Sequence, residues 1–462
     1  MAQLLELSNE LLTEIIMLNS LEGDRSQLLR HLCLTCTKLR SIAQPILYSV
    51  FHISSSQLHT VKTMILFIRT LVQGPNLAKG VKHVDLELFR HHSIVSTFTE
   101  GSHFWGHSPI DVQSTDLSYS RQWDSWGTDH PLSVYPHVLL LLDLLPLLEC
   151  IVLRGPDVDI SQFKRLEGTT VYPHACQLLK SIDIECPDNS SIYHLAPFTG
   201  LIPLLQAPLL NKCVLRRAFI FLALGVGPKL LHLDPGSSNI THLELRYCIA
   251  DAHSLEDLIL SIRTLKHFTI IPPSTGEEEL SGDEAREDPG FNDMDLEIIH
   301  EALSSHSNTL EFVDFRCVDV ETERDEDEYD EDGQDDGVQT HAQLLSFAAF
   351  GSLRNLTINY HRLRSTEFLP KGLHNLALLD CQSLEIEYGV GLDELCMLRR
   401  NACSQLERLD LQVRSGRYYN MANDLSLSGF RLNERPLIKL DANFQFSVHV
   451  GEYTEPLHAS AA

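Results

Sequence analysis

Ile240-Thr241-His242-Leu243-Glu244-Leu245 sets apolar residues at its first, fourth and sixth positions. On a pleated strand the fourth and sixth point to one side, so copies of this pattern laid side by side align into one apolar layer. The spacing recurs before this point at Val81/Val84/Leu86, Leu148/Ile151/Leu153, Leu179/Ile182/Ile184 and Leu210/Cys213/Leu215. After it come Leu265/Phe268/Ile270, Leu310/Val313/Phe315, Leu353/Leu356/Ile358, Leu373/Leu376/Leu378 and Leu406/Leu409/Leu411. One such triplet arises by chance in many helices. A long series does not, and Leu179, Leu210 and Ile240 open copies about 30 residues apart.

The series is that of a leucine-rich repeat: a parallel sheet built one strand per repeat, with helices on its outer side. Leu255 to Leu265 and Asp295 to Leu303 have helical spacing, with Asp251 or Ser254 and Asn292 or Asp293 as candidate N-caps. Repeats of this kind often carry Asn or Cys eight residues after the first apolar position; here Cys248 and Cys381 stand there, without a run of Asn. The array is therefore irregular, and these cysteines read as packing and backbone-bonding residues rather than nucleophiles. Spacing breaks at 89–135, 271–294 and 318–340, which read as insertions. The first is rich in His and Trp without the spacing of a compact zinc motif, and suits protein contact better. The other two are acidic, through Glu277-Glu278-Glu279 and Asp325 to Asp332, and contain almost nothing to bury.

Ahead of the repeats, Asn9 to Leu18 forms a short helix with two adjacent apolar stripes, Leu11/Ile15/Leu18 and Leu12/Ile16, behind Ser8 or Asn9 as cap. A second periodic segment carries Leu28, Leu29, Leu32, Cys33, Cys36 and Leu39, and a third turn from Ser41 is expected to stop at Pro45. Three small helices bury little against one another, so part of their apolar surface needs another cover, either the rest of the chain or a partner. The spacing leaves open which stripe of the first helix faces outward.

Leu7-Ser8-Asn9-Glu10-Leu11-Leu12-Thr13-Glu14-Ile15-Ile16, followed by Leu34-Thr35-Cys36-Thr37-Lys38-Leu39-Arg40 and Pro45-Ile46-Leu47-Tyr48, resembles an F-box in the form common in fungal proteins. Ser8 stands where that family usually has Pro, and Leu39 where it often has an aromatic residue. The resemblance implies docking to the Skp-type adaptor of a cullin-RING ubiquitin ligase, with Leu7, Leu11, Leu12, Ile15 and Ile16 as anchors and Lys38 at the rim. Together with the repeats it gives the expectation of an α/β chain in four parts: an F-box-like helical module at 1–50, a connecting strand and helix at 51–78, a leucine-rich-repeat-like solenoid at 79–450 and a tail at 451–462. The solenoid would hold a protein target, and the alternative is a repeat scaffold that works outside any ligase.

Composition narrows the classes further. A net charge of -27 argues against a basic nucleic-acid interface and against attraction to anionic membranes. Glu6 and Glu10 interrupt any secretory leader, and the 11 scattered cysteines suit reduced thiols in a cytoplasmic or nuclear protein. Val138 to Leu153 is apolar but carries Asp143, Pro146 and Glu149, and reads as core rather than a span. Gly225-Val226-Gly227-Pro228 is no phosphate loop, and neither a Gly-x-Ser-x-Gly elbow nor a His-Glu-x-x-His helix occurs. No catalytic residue, metal ligand or cofactor is expected.

Overall fold

Each triplet quoted above lies on a strand whose first apolar residue sits just before it. The computed structural model describes residues 6–19, 25–53, 60–87, 138, 141–142, 144–154, 177–185, 201–220, 233–272, 295–316, 345–359, 363, 368–379, 403–413 and 445–450. Most of the three insertions, Cys381 and the tail lie outside those residues. The chain divides between Arg216 and Arg217 into two compact units.

The first unit contains α1 (Asn9–Asn19), α2 (Arg25–Thr35), α3 (Thr37–Ser49), β1 (Val50–Ile53), α4 (Thr60–Gln73), α5 (Pro75–Ala78), β2 (His83–Glu87), β3 (Cys150–Arg154), β4 (Ser181–Glu185), α6 (Ile202–Leu205) and β5 (Lys212–Arg216). Its strands pair in parallel in chain order from β1 to β5. The second unit contains β6 (Phe219–Ile220), β7 (His242–Arg246), β8 (Ile249–Ala250), α7 (Ala252–Ser261), β9 (His267–Ile271), α8 (Leu296–Ser304), β10 (Phe312–Phe315), β11 (Asn355–Asn359), β12 (Asn375–Leu379), β13 (Arg408–Val413) and β14 (Gln445–Val450). Here the parallel order is β7, β9, β10, β11, β12, β13, β14, and β6 pairs with β8 apart from that sheet.

Register follows from the triplets. Leu243 lies opposite Phe268, Phe268 opposite Val313, and Val313 opposite Leu356, all fully buried. Apolar burial of this kind is worth about 1.5–3 kcal/mol per large side chain, and a slip of one residue would turn the whole set outward. The residue before each strand locks the phase a second time. Lys82 O accepts from both Glu149 N (2.8 Å) and Cys150 N (3.0 Å), and Glu149 O from both Lys180 N (2.7 Å) and Ser181 N (3.1 Å). In the second unit the carbonyls of Thr241, Lys266, Glu311, Arg354 and His374 each take two amides of the next repeat in the same way. One carbonyl has two lone pairs, so a single acceptor satisfies both amides at each of these entries. The side chains there alternate in charge: Glu149 bonds Lys82 (3.0 Å) and Lys180 (2.7 Å), and Glu311 bonds Lys266 (3.0 Å). These pairs are open to solvent and weak, and burial remains the larger effect.

The helices differ from the sequence reading in three places. α8 is capped by Asp295, whose carboxylate accepts from Glu297 N and Ile298 N, rather than by Asn292 or Asp293. The second periodic segment does not run to Leu39: Cys36 breaks it in an extended conformation (φ -159°, ψ 165°) and caps α3 instead. α3 also does not stop at Pro45 but continues to Ser49. Proline inside a helix costs about 3 kcal/mol. Ile42 and Ala43 before it are buried, and Ile46 and Leu47 after it pack on the same cluster, which offsets that cost. Asp251 caps α7 as expected, with its carboxylate accepting from Ser254 N at 2.7 Å.

Val138, Leu141, Leu142, Leu145, Leu148, Ile151 and Leu153 are all buried in the first unit, as core. Cys213, Cys248 and Cys403 are buried, whereas Cys33, Cys36 and Cys150 are only half-buried. Cys248 Sγ bonds Arg246 O at 3.5 Å. Among the described residues, no helix is long and apolar enough to cross a membrane.

One buried and one half-buried histidine hold the helical layer of the second unit. His306 donates from Nε2 to Ile259 O (3.1 Å), tying the end of α8 to α7, and His300 donates to Ser346 O (2.8 Å) beside Phe347 and Phe350. Burial holds both imidazoles below their ordinary pKa. A lowered folded-state pKa leaves the unfolded chain binding more protons, so this stability is present above about pH 6.5 and lost as pH falls below it. The urea midpoint is expected to fall between pH 7.5 and pH 5.5, and less steeply in His306→Gln, which keeps a donor but cannot gain a charge.

Candidate docking face on the N-terminal helices

Leu12 and Ile16 repeat at helical spacing, as do Leu11, Ile15 and Leu18 one residue out of phase, so a single packing partner can cover only one stripe of α1. Leu12 (1% exposed) and Ile16 (5%) enter the core of the helical module with Leu29, Ile42 and Ala43. Leu7, Leu32, Cys33, Ile46 and Leu47 pack around the edge of that cluster. The other stripe faces out: Leu11 is 49% exposed, Ile15 37% and Leu18 67%.

The six residues marked from the sequence thus separate. Leu11 and Ile15 lie on the open face. Leu12 and Ile16 are sealed inside the module and do not present side chains to a partner, because α2 and α3 need an apolar side to fold against. Leu7 packs on the same cluster. Lys38 is half-buried, and its ammonium donates to Leu7 O at 2.8 Å, strapping the entry of α1 to α3 rather than standing free at a rim.

Local chemistry sets the pitch of this face. Ser8 Oγ accepts from Leu11 N (3.4 Å), filling the capping role that the sequence left to Ser8 or Asn9. Glu10 accepts from its own amide and from Ser8 in the first turn, which holds its carboxyl below the ordinary value. At the far corner, Cys36 Sγ accepts from Leu39 N (3.5 Å), and Arg40 Nε donates to Cys33 O (2.9 Å). Leu34 stands at that corner, 78% exposed. The sequence reading passed over Leu34 as a contact, although a signal was there: it falls out of phase with the periodic set Leu28, Leu29, Leu32 and Cys33 and so has no place in the core.

A second surface belongs to the sheet of the second unit, on residues alternating with the buried ones. His242 stacks on His267 (centroids 4.1 Å, planes 11° apart), and His267 stacks on Phe312 (5.7 Å). Next along the strands, Arg246 bonds Glu244 (3.1 Å), and Arg316 holds Asp314 through two bonds of 2.8 Å. These side chains are half-buried, and Asp314 is buried. They form a firm mixed polar and aromatic surface without a nucleophile–base pair. Among the described residues, no group of three or more His, Cys, Asp and Glu is arranged to hold a metal ion.

The split of α1 makes a direct test by chemical denaturation. Leu12→Ala and Ile16→Ala are each expected to cost about 2–5 kcal/mol through lost burial and a cavity, whereas Leu11→Ser and Leu18→Ser stay within about 0.5 kcal/mol. No family model matches this sequence, and no curated protein matches it either.

Proposed function

We propose that the chain is a non-catalytic receptor subunit of a Skp-adaptor/cullin ubiquitin ligase, docking the adaptor through α1 and a protein target through its leucine-rich parallel sheet. The single observation that carries this reading is the open stripe Leu11, Ile15 and Leu18, an apolar helix face on a module whose own core is already closed by Leu12 and Ile16. A face that neither folds the module nor suits water is kept for contact. The F-box resemblance across residues 7–48 supplies the partner. Catalysis in such an assembly comes from proximity, since the receptor raises the local concentration of a target lysine near a conjugating enzyme bound elsewhere. No residue of this chain then needs a tuned acid or base.

One observation favours a second reading. The helical module falls in the same compact unit as β1 to β5, and Phe51 on β1 stacks on Phe67 of α4 at 3.6 Å, so the N-terminal helices lead straight into packed structure. As the terminal cap of a repeat scaffold they would need no adaptor.

Pull-down of a Skp-type adaptor by the full-length chain separates the two. Capture by the wild type is expected, with Leu11→Asp plus Ile15→Asp weakening it by about 30-fold, the loss of roughly 2 kcal/mol at a central anchor. A wild type that fails to bind, or a double variant that binds unchanged, leaves the scaffold reading standing.

A further inference from the structure

Cys33 and Cys36 bracket the corner at which α2 ends and α3 begins. Leu34 and Thr35 between them still belong to α2, so the two Cα atoms are one helical i to i+3 step apart, about 5 Å for a rise of ~1.5 Å and a radius of ~2.3 Å. Disulfides span roughly 4.4–6.8 Å between Cα atoms, and this pair falls inside that span. Both side chains border the first turn of α3: Cys36 Sγ accepts from Leu39 N, and the Arg40 guanidinium bonds Cys33 O and acts on the Cys33 thiol. Both are half-buried, with the exposed Leu34 and Thr35 beside them, so a small reagent can approach. We propose that Cys33 and Cys36 form a reversible intramolecular disulfide, a thiol modification site whose closure uncaps α3. The proposal stands independently of adaptor docking.

The oxidant is a low-molecular-weight disulfide such as oxidised glutathione. Cys36 loses its proton to water and its sulfur attacks one sulfur of the reagent, expelling one glutathione thiolate and leaving a mixed disulfide on Cys36. Cys33 gives its proton to that thiolate or to water, attacks Cys36 sulfur and expels the second glutathione. Two protein thiols are oxidised to one disulfide, and the reagent is reduced to two thiols. Burial raises the Cys33 thiol pKa and keeps its thiolate scarce, so the first attack falls to Cys36 and Cys33 reacts only in the intramolecular step. Closure turns Cys36 sulfur toward Cys33 and away from Leu39 N, so α3 loses its cap, and it draws Cys33 from the edge of the Leu12/Ile16 cluster.

Trypsin cuts after Arg30 and Lys38, so one peptide, His31 to Lys38, carries both sulfurs. After the full-length chain is treated with oxidised glutathione and remaining thiols are alkylated, this peptide is expected unalkylated and two hydrogens lighter, reverting to doubly alkylated with dithiothreitol. Cys33→Ser is expected to trap glutathione on Cys36. Cys36→Ser keeps an oxygen cap and serves as the folded control: amide exchange at Leu39 and Arg40 should rise several-fold on oxidation of the wild type and stay unchanged in this variant. A wild-type peptide that stays doubly alkylated or carries glutathione on both sulfurs overturns the proposal. Formation of the disulfide without faster exchange overturns the uncapping.

Discussion

The carbonyl that precedes β2, β3, β4, β7, β9, β10, β11 and β12 accepts two amides from the next repeat, and this shared acceptor is the joint on which the stacked strands depend. It makes these strands start level with their neighbours, so that Leu243, Phe268 and Val313 line up in the second unit and Val84, Ile151, Ile182 and Cys213 in the first. Burial supplies most of the free energy, but burial alone is non-directional and would tolerate a stagger. Paired amides at the entry remove that freedom. The left-handed residues Arg217 (φ 54°) and Tyr247 (φ 55°) do the same just beyond β5 and β7, where Arg217 N bonds Arg246 O and Tyr247 N bonds Ile271 O before the short strands β6 and β8.

The helical module obeys a different economy. About forty residues can close one small core, and Leu12, Ile16, Leu29, Ile42 and Ala43 use that capacity. Whatever apolar residues remain must lie outside. Leu11, Ile15, Leu18 and Leu34 are therefore exposed as a consequence of the arithmetic of a small bundle, three of them on α1 and one at the α2–α3 corner. Lys38 and Arg40 tighten the same corner through backbone carbonyls, so the charged residues of α3 serve the module's geometry before they serve any partner.

Much of the fold was legible in the residues. The first-fourth-sixth spacing marked ten strands of the two sheets, because a period of two and a preceding apolar residue leave little else for such a segment to become. β14 carried no such spacing, and the two-residue strands β6 and β8 were too short to be marked by it. Helix limits were read less well: Asp295 and Cys36 cap where other residues were expected to, and Pro45 lies inside α3 because the apolar residues on both sides of it stay in one cluster.

By itself the sequence determined that α1 has two apolar stripes, that the chain stacks parallel strands, and that its charge is strongly negative. Only the tertiary structure decided which stripe is spent on the core. Leu12 and Ile16 are no more apolar than Leu11 and Ile15, and the helical period treats both pairs alike. The choice rests on where α2 and α3 lie when Cys36 ends one helix and caps the next, and that placement comes from contacts between residues distant in the chain, which no local period records.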